Sequence, residues 1–135
     1  MNRIAKIMSL IPCPRRTAVW ALLLALPSPA WAHAYLDHAT PKVGSTVTSP
    51  PAKVKIWFTQ ELEPAFSSVE VKNSRDQEVD KQDAHVDAKD KSLLEVSLPP
   101  LPAGTYTVIW HAVATDTHRT QGHFEFTVKS AAGQT

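Results

Sequence analysis

Near the C-terminal end of the chain, the stretch "VATDTHRTQG" sets Asp116 and His118 one residue apart. In an extended or loosely turning segment, residues i and i+2 point the same way, so this carboxylate and imidazole can reach one cation together. An Asp-His pair on a solvated surface has the same signature, and the triplet alone does not choose between the two. A third residue, far away in sequence, sharpens the reading. His33 follows "AWA" at the end of a segment with the features of an export signal, and cleavage after Ala32 would make it the N-terminal residue. It would then offer two nitrogens to one ion, its own ring Nδ1 and a free α-amine, a group with a pKa of about 7.7 to 8.0. Adding His118 gives three nitrogens in a T-shaped plane, with Asp116 as an oxygen near the fourth or axial position. Tetragonal nitrogen and oxygen donors suit Cu(II) by geometry and by the Irving–Williams order. The expectation is one Cu(II) per mature chain, held by His33, Asp116 and His118. The other N-terminal copper pattern needs histidine third in the chain, where this sequence has Tyr35.

The remaining chemistry-bearing residues are weaker candidates. His38 lies beside Asp37 and reads as a neighbour of the site or a surface residue, and His85 sits in a charged stretch where a solvated role is expected. His111 alternates away from Trp110, and His123 alternates away from Phe124 and Phe126, so either could approach an ion only from an adjacent strand. Gln60 and Glu61 are open as further contributors. Glu61 and Glu63 in "FTQELEP" could be read as an acid and base pair, but a turn between strands explains them better. No G-x-S-x-G is present, the serines are scattered through turns, and the single cysteine, Cys13, lies ahead of the proposed cleavage point. No catalytic residue is assigned, and the chain is not expected to be an enzyme.

The first 32 residues carry the three parts of a secretory signal. Arg3, Lys6, Arg15 and Arg16 supply the basic region, "TAVWALLLAL" the apolar core, and small residues around a proline the cleavage end. The apolar core is about half of the roughly 20 residues that a membrane-spanning helix needs, so residues 1–32 are expected to be a cleaved signal peptide rather than an anchor. The Arg15-Arg16 pair leaves the export route open. The mature chain, residues 33–135, keeps all 13 acidic residues, ten of the 14 basic ones and all six histidines, for a formal charge of −3. That argues against a nucleic-acid partner, which would call for a basic patch or stripe. Both methionines, Met1 and Met8, leave with Cys13, so the exported domain has neither a disulfide nor a sulfur ligand. It is expected to be a monomer and not membrane-embedded.

The elements that must position these residues are strands. In "KVKIWF", Val54, Ile56 and Phe58 alternate with Lys53, Lys55 and Trp57; "SSVEVKN" from Ser67 and "LLEVSLPP" from Leu93 continue the pattern. "GTYTVIWHAV" from Gly104 sets Tyr106, Val108 and Trp110 on one face, and "GHFEFTV" from Gly122 does the same for Phe124, Phe126 and Val128. Between the middle strands, "NSRDQEVDKQDAHVDAKDKS" has only Val79 and Val86 to bury and reads as a long solvated connection holding one weak strand. No helical stripe competes. About seven short strands with proline and glycine punctuation predict an all-β domain, an antiparallel β-sandwich with Greek-key connections of the immunoglobulin or cupredoxin-like kind.

These stretches together resemble the periplasmic copper-binding proteins of the CopC type, over essentially the whole mature chain from His33 to about Lys129. The resemblance is carried by "HAYLDHATPKVGSTV" directly after the cleavage point, by "VKIWFTQELEPAFSSVEV", and most specifically by "LPAGTYTVIWHAVATDTHRTQGHFEFTV". It implies a Greek-key β-sandwich and a Cu(II) site formed by the N-terminal histidine and an Asp-x-His before the last strand, which match His33, Asp116 and His118. It also implies a periplasmic location, a role in copper sequestration, trafficking or resistance, and an inner-membrane copper transporter of the CopD type as a partner. Some members hold Cu(I) in a methionine-rich loop. Here that region has no methionine, and thioethers are what Cu(I) selects, so the chain is similar to the members with a Cu(II) site only. Where the family can place a glutamate after the second strand as a weak ligand, this chain has Gln60. Two rival readings remain: a small copper monooxygenase using the same histidine brace, and a metal-free immunoglobulin-like interaction module.

Overall fold

The structure, a computed structural model, describes residues 34–130. Alternating burial defines its elements. β1 (Leu36–Thr40), β3 (Lys53–Phe58), β6 (Leu93–Ser97) and β5 (His85–Val86) form one sheet in the order β1-β3-β6-β5. β2 (Thr46–Val47), β8 (Arg119–Val128), β7 (Gly104–Val113) and β4 (Ser68–Lys72) form the other in the order β2-β8-β7-β4. The only helical element among the described residues is a single 3₁₀ turn at Pro64–Phe66. The chain crosses between the sheets from β1 to β2, β2 to β3, β3 to β4, β4 to β5 and β6 to β7, as in a Greek-key sandwich.

The core is built by the inward residues that the period of two selects. Val54, Ile56 and Phe58 of β3 meet Val69 and Val71 of β4, Tyr106, Val108 and Trp110 of β7, and Phe124, Phe126 and Val128 of β8 in one buried cluster. β6 differs from the rest, because Leu93 to Val96 are all buried and both of its faces are covered. The Tyr106 hydroxyl donates to the Pro102 carbonyl at 2.6 Å, tying the entrance of β7 to the loop before it in the manner of a tyrosine corner.

The structure departs from the sequence reading in two respects. There are eight strands rather than about seven, the two-residue β2 being the one that no alternation announces while β5 is the weak strand expected in the charged connection, and β2 pairs with β8 in parallel, not antiparallel. Two residues hold too little alternation to register as a strand; β2 exists because the backbones of Gly44, Ser45 and Val47 find partners at Glu125, Thr127 and Lys129 on the edge of β8. β8 also begins at Arg119, three residues earlier than its apolar pattern, because its pairing with β7 runs on through Thr120 and Gln121. The long charged connection stays peripheral, as expected, with Val86 buried and Val79 half-buried.

Candidate metal centre

The β7–β8 hairpin carries Asp116 and His118 to one end of the sandwich. Its register places Ala112 opposite Thr120 and Val113 opposite Arg119. The ladder continues one step further, since Ala114 N donates to the His118 carbonyl at 2.9 Å, leaving Thr115, Asp116 and Thr117 as a three-residue turn. Thr117 closes the turn at φ = 73°, the left-handed conformation that three-residue hairpins need at this point and that a β-branched residue adopts only at a cost. The carboxylate of Asp116 folds back over the turn. Its Oδ1 accepts from the His118 amide at 3.2 Å and its Oδ2 lies 3.1 Å from His118 Nδ1. Both side chains are about 40 % exposed, so the pair sits at a rim and not in a cavity.

The start of the described chain arrives at the same end. Ala34 is fully buried, and its carbonyl accepts from the Thr120 hydroxyl at 2.6 Å. Tyr35 is clamped on the other side, its amide donating to Thr59 Oγ1 at 3.1 Å and its carbonyl accepting from the Thr59 amide at 2.9 Å. The segment before β1 therefore lies between the end of β3 and the start of β8. His33 itself lies outside the described residues. Its neighbour Ala34 is held by the residue two positions after His118.

The other sequence candidates are placed elsewhere. His38 pairs across strands with Trp57, on the outer side of the first sheet, and stacks on that indole at 4.5 Å between ring centroids with Nδ1 2.8 Å from Asp37. His85 is not the merely solvated residue expected. Its Nε2 lies 3.1 Å from Glu95 Oε1, a carboxylate that is only 6 % exposed and is also paired with Lys53 Nζ at 3.0 Å. His111 and His123 are exposed and alternate with the buried Trp110, Ala112 and Phe124, so they face away from the core on the outer side of the second sheet. The Glu61 carbonyl accepts from the Thr115 amide at 3.1 Å, one residue from Asp116. Among the described residues, no three histidine, cysteine, aspartate or glutamate side chains gather in a way that could hold an ion. Of the expected ligands His33, Asp116 and His118, the described residues include Asp116 and His118, which lie side by side. The residues that sequence reasoning missed are Thr59 and Thr120. The signal for Thr120 was present in "DTHRT", where it stands two positions after His118.

A carboxylate and an imidazole at a rim are donors that fit Cu(II). The backbone pinned beside them is that of Ala34, next to His33 in the sequence. With this geometry in view, the comparisons with known proteins are consistent. The CopC domain model matches residues 36–129. Protein YobA of Escherichia coli is 35 % identical over 116 residues, covering 84 % of this chain and 94 % of that protein. Copper resistance protein C of Escherichia coli is 33 % identical over 115 residues, covering 80 % and 90 %. Among solved structures, CopC from Methylosinus trichosporium OB3b superposes with a TM-score of 0.64 at 31 % identity, covering 72 % of this chain and 94 % of that one. PcoC from Escherichia coli, described as a methionine-rich copper resistance protein, gives 0.63 at 33 % identity over 73 % of this chain and all of that one. This chain has no methionine beyond Met8, so it lacks the feature for which that relative is named. By its domain match and by relatives above 30 % identity along most of its length, the chain belongs to the CopC family.

Proposed function

We propose that this protein is a periplasmic Cu(II)-binding protein that sequesters copper or hands it on, and is not an enzyme. Residues 1–32 are its signal peptide and residues 33–135 the working domain, in which the α-amine and Nδ1 of His33, with His118 and Asp116, hold one Cu(II). The observation that carries the reading is the convergence of the Asp116–His118 pair with the Ala34 backbone, pinned to Thr120 at 2.6 Å. Family membership supports the copper chemistry, and relatives are named for copper resistance and for copper transport. No helix among the described residues is long and apolar enough to cross a membrane. A site at a rim, with an edge open to solvent, suits transfer to a partner such as an inner-membrane copper transporter of the CopD type. The monooxygenase alternative would need a flat aromatic face. Among the described residues the large exposed aromatics are Tyr35 and Phe66, while Tyr106, Trp110, Phe124 and Phe126 point inward.

The test begins with mass spectrometry of the exported protein, expected to start at His33. Cu(II) titration and electron paramagnetic resonance then compare that form with one carrying a single extra residue ahead of His33. The extra residue converts the amine to an amide and should weaken binding by about a hundredfold or more, at least the upper end of what loss of a metal site's supporting contacts costs. Equal affinity and an unchanged spectrum would remove His33 from the site. Oxidation of chitin or cellulose with reductant and peroxide, abolished by His33→Ala, would instead establish the enzymatic reading.

A further inference from the structure

We infer that Thr120 is a positioning residue for this site: its hydroxyl holds the Ala34 carbonyl so that the preceding residue, His33, is presented to Asp116 and His118. The inference rests on the copper reading above and adds to it the device that brings the two ends of the sequence together.

Thr120 is the second residue of β8, and His118 immediately precedes the strand, its carbonyl still bonded by the Ala114 amide, so the two residues are two positions apart along nearly extended chain. The Thr120 hydroxyl donates to the Ala34 carbonyl at 2.6 Å across 86 positions of sequence, and Ala34 is fully buried. Consecutive Cα atoms are about 3.8 Å apart, so wherever Ala34 is fixed, the Cα of residue 33 lies on a sphere of that radius around its own. The Thr59 clamp on Tyr35 fixes the direction of the chain but holds the residue one position further from His33. Among the described residues, Thr120 is thus the side chain that holds the backbone position next to the ligand. Without it, the position next to His33 is less fully ordered before copper binds, and the apparent affinity falls with the fraction of molecules in which it is already in place.

The experiment uses the mature protein starting at His33. Thr120→Val keeps the side-chain shape and removes the donor, and Thr120→Ser keeps the donor. Each is measured for Cu(II) affinity by competition and for its resonance spectrum. The copper-free proteins are measured for amide exchange at Tyr35 and Leu36 and for thermal stability. The expected result is about a tenfold weaker Cu(II) affinity for T120V, faster copper-free exchange at Tyr35, and recovery of both in T120S. The same substitutions in the chain extended by one residue ahead of His33 separate positioning from general stability. There the amine is no longer a ligand, so T120V should cause little further loss. Wild-type affinity and spectrum in T120V would overturn the inference, as would an equal loss in the native and extended chains. If T120V does not fold, Thr120→Ala compared with T120S answers the same question. A failure of the copper reading itself is told apart by His118→Ala: if that variant binds Cu(II) as wild type does, the site is elsewhere, whatever Thr120 does.

Discussion

Gly122 is the residue whose substitution gives the sharpest stability test of how the site-bearing hairpin is built. It pairs with Trp110 across β7 and β8, and it is not there for backbone freedom, since its φ is ordinary. A Cβ at this position would stand 2.6 Å from Trp110 Cζ2, 2.9 Å from Cε2 and 3.2 Å from Nε1. The first two distances are shorter than real carbon contacts allow, so the indole must move. It cannot move freely, being only 7 % exposed and packed edge-on against Phe58 at 5.0 Å. Forcing an extra carbon into a filled core costs typically about 1–3 kcal/mol, while replacing glycine by alanine in a strand returns roughly 0.5–1 kcal/mol. Gly122→Ala should therefore destabilise the mature domain by about 1–2 kcal/mol, lowering its melting temperature by roughly 5–15 °C. Urea unfolding followed by Trp fluorescence would measure this, with the m-value checked for constancy. Trp110→Phe removes the atoms that clash, so the G122A penalty should shrink or vanish in the W110F background, a coupling of about 0.5–3 kcal/mol. G122A as stable as the parent, or a penalty that persists unchanged once the indole is gone, would refute the claim that the Trp110 ring occupies this space.

Three further outcomes follow from the geometry. Tyr106→Phe removes the 2.6 Å bond from a buried ring to the carbonyl of the exposed Pro102 and should cost about 0.5–1.5 kcal/mol in urea unfolding with no change in copper affinity; a loss below about 0.3 kcal/mol would mean that water replaces the hydroxyl, by the usual scale for such bonds. His111→Ala combined with His123→Ala should leave Cu(II) affinity and spectrum as in the parent, whereas a clear weakening would bring the outer face of the second sheet into the site. The copper-free domain should hold its stability from neutral pH down to about pH 5 and lose it below about pH 4. Hydrogen bonds from the Ser97 side chain and amide hold Asp83 below the ordinary carboxylate range. The Asp90 and Lys89 amides do the same for Asp87, and the Ser92 hydroxyl and amide for Asp90. A carboxylate whose pKa is depressed by folding contributes stability that is full above its unfolded value and is lost as pH falls through its folded one. Glu78, pushed up by the charge of Asp80, opposes this trend. Chemical unfolding at pH 6 and pH 3 decides the matter: equal stabilities would refute it, and Asp87→Asn should flatten part of the fall.

Whatever depends on neighbours in the chain could be read from the order of the amino acids. Burial of one face of a strand imposes a period of two, so the inward sides of β3, β7 and β8 were legible from Val54-Ile56-Phe58, Tyr106-Val108-Trp110 and Phe124-Phe126-Val128. Asp116 and His118 are also close together, but through the turn at Thr115–Thr117 and the Asp116 carboxylate folded back onto the His118 amide rather than through a strand period. Contacts between segments whose separation leaves no local trace needed the folded chain: β2 added in parallel to the edge of β8, His85 drawn onto a buried Glu95 ten positions on, and His38 laid flat on Trp57. The hold of Thr120 on Ala34 belongs to this group. A hydroxyl near the end of the chain and a carbonyl near its start carry no common period or spacing. Only the closing of two sheets over one core puts them 2.6 Å apart.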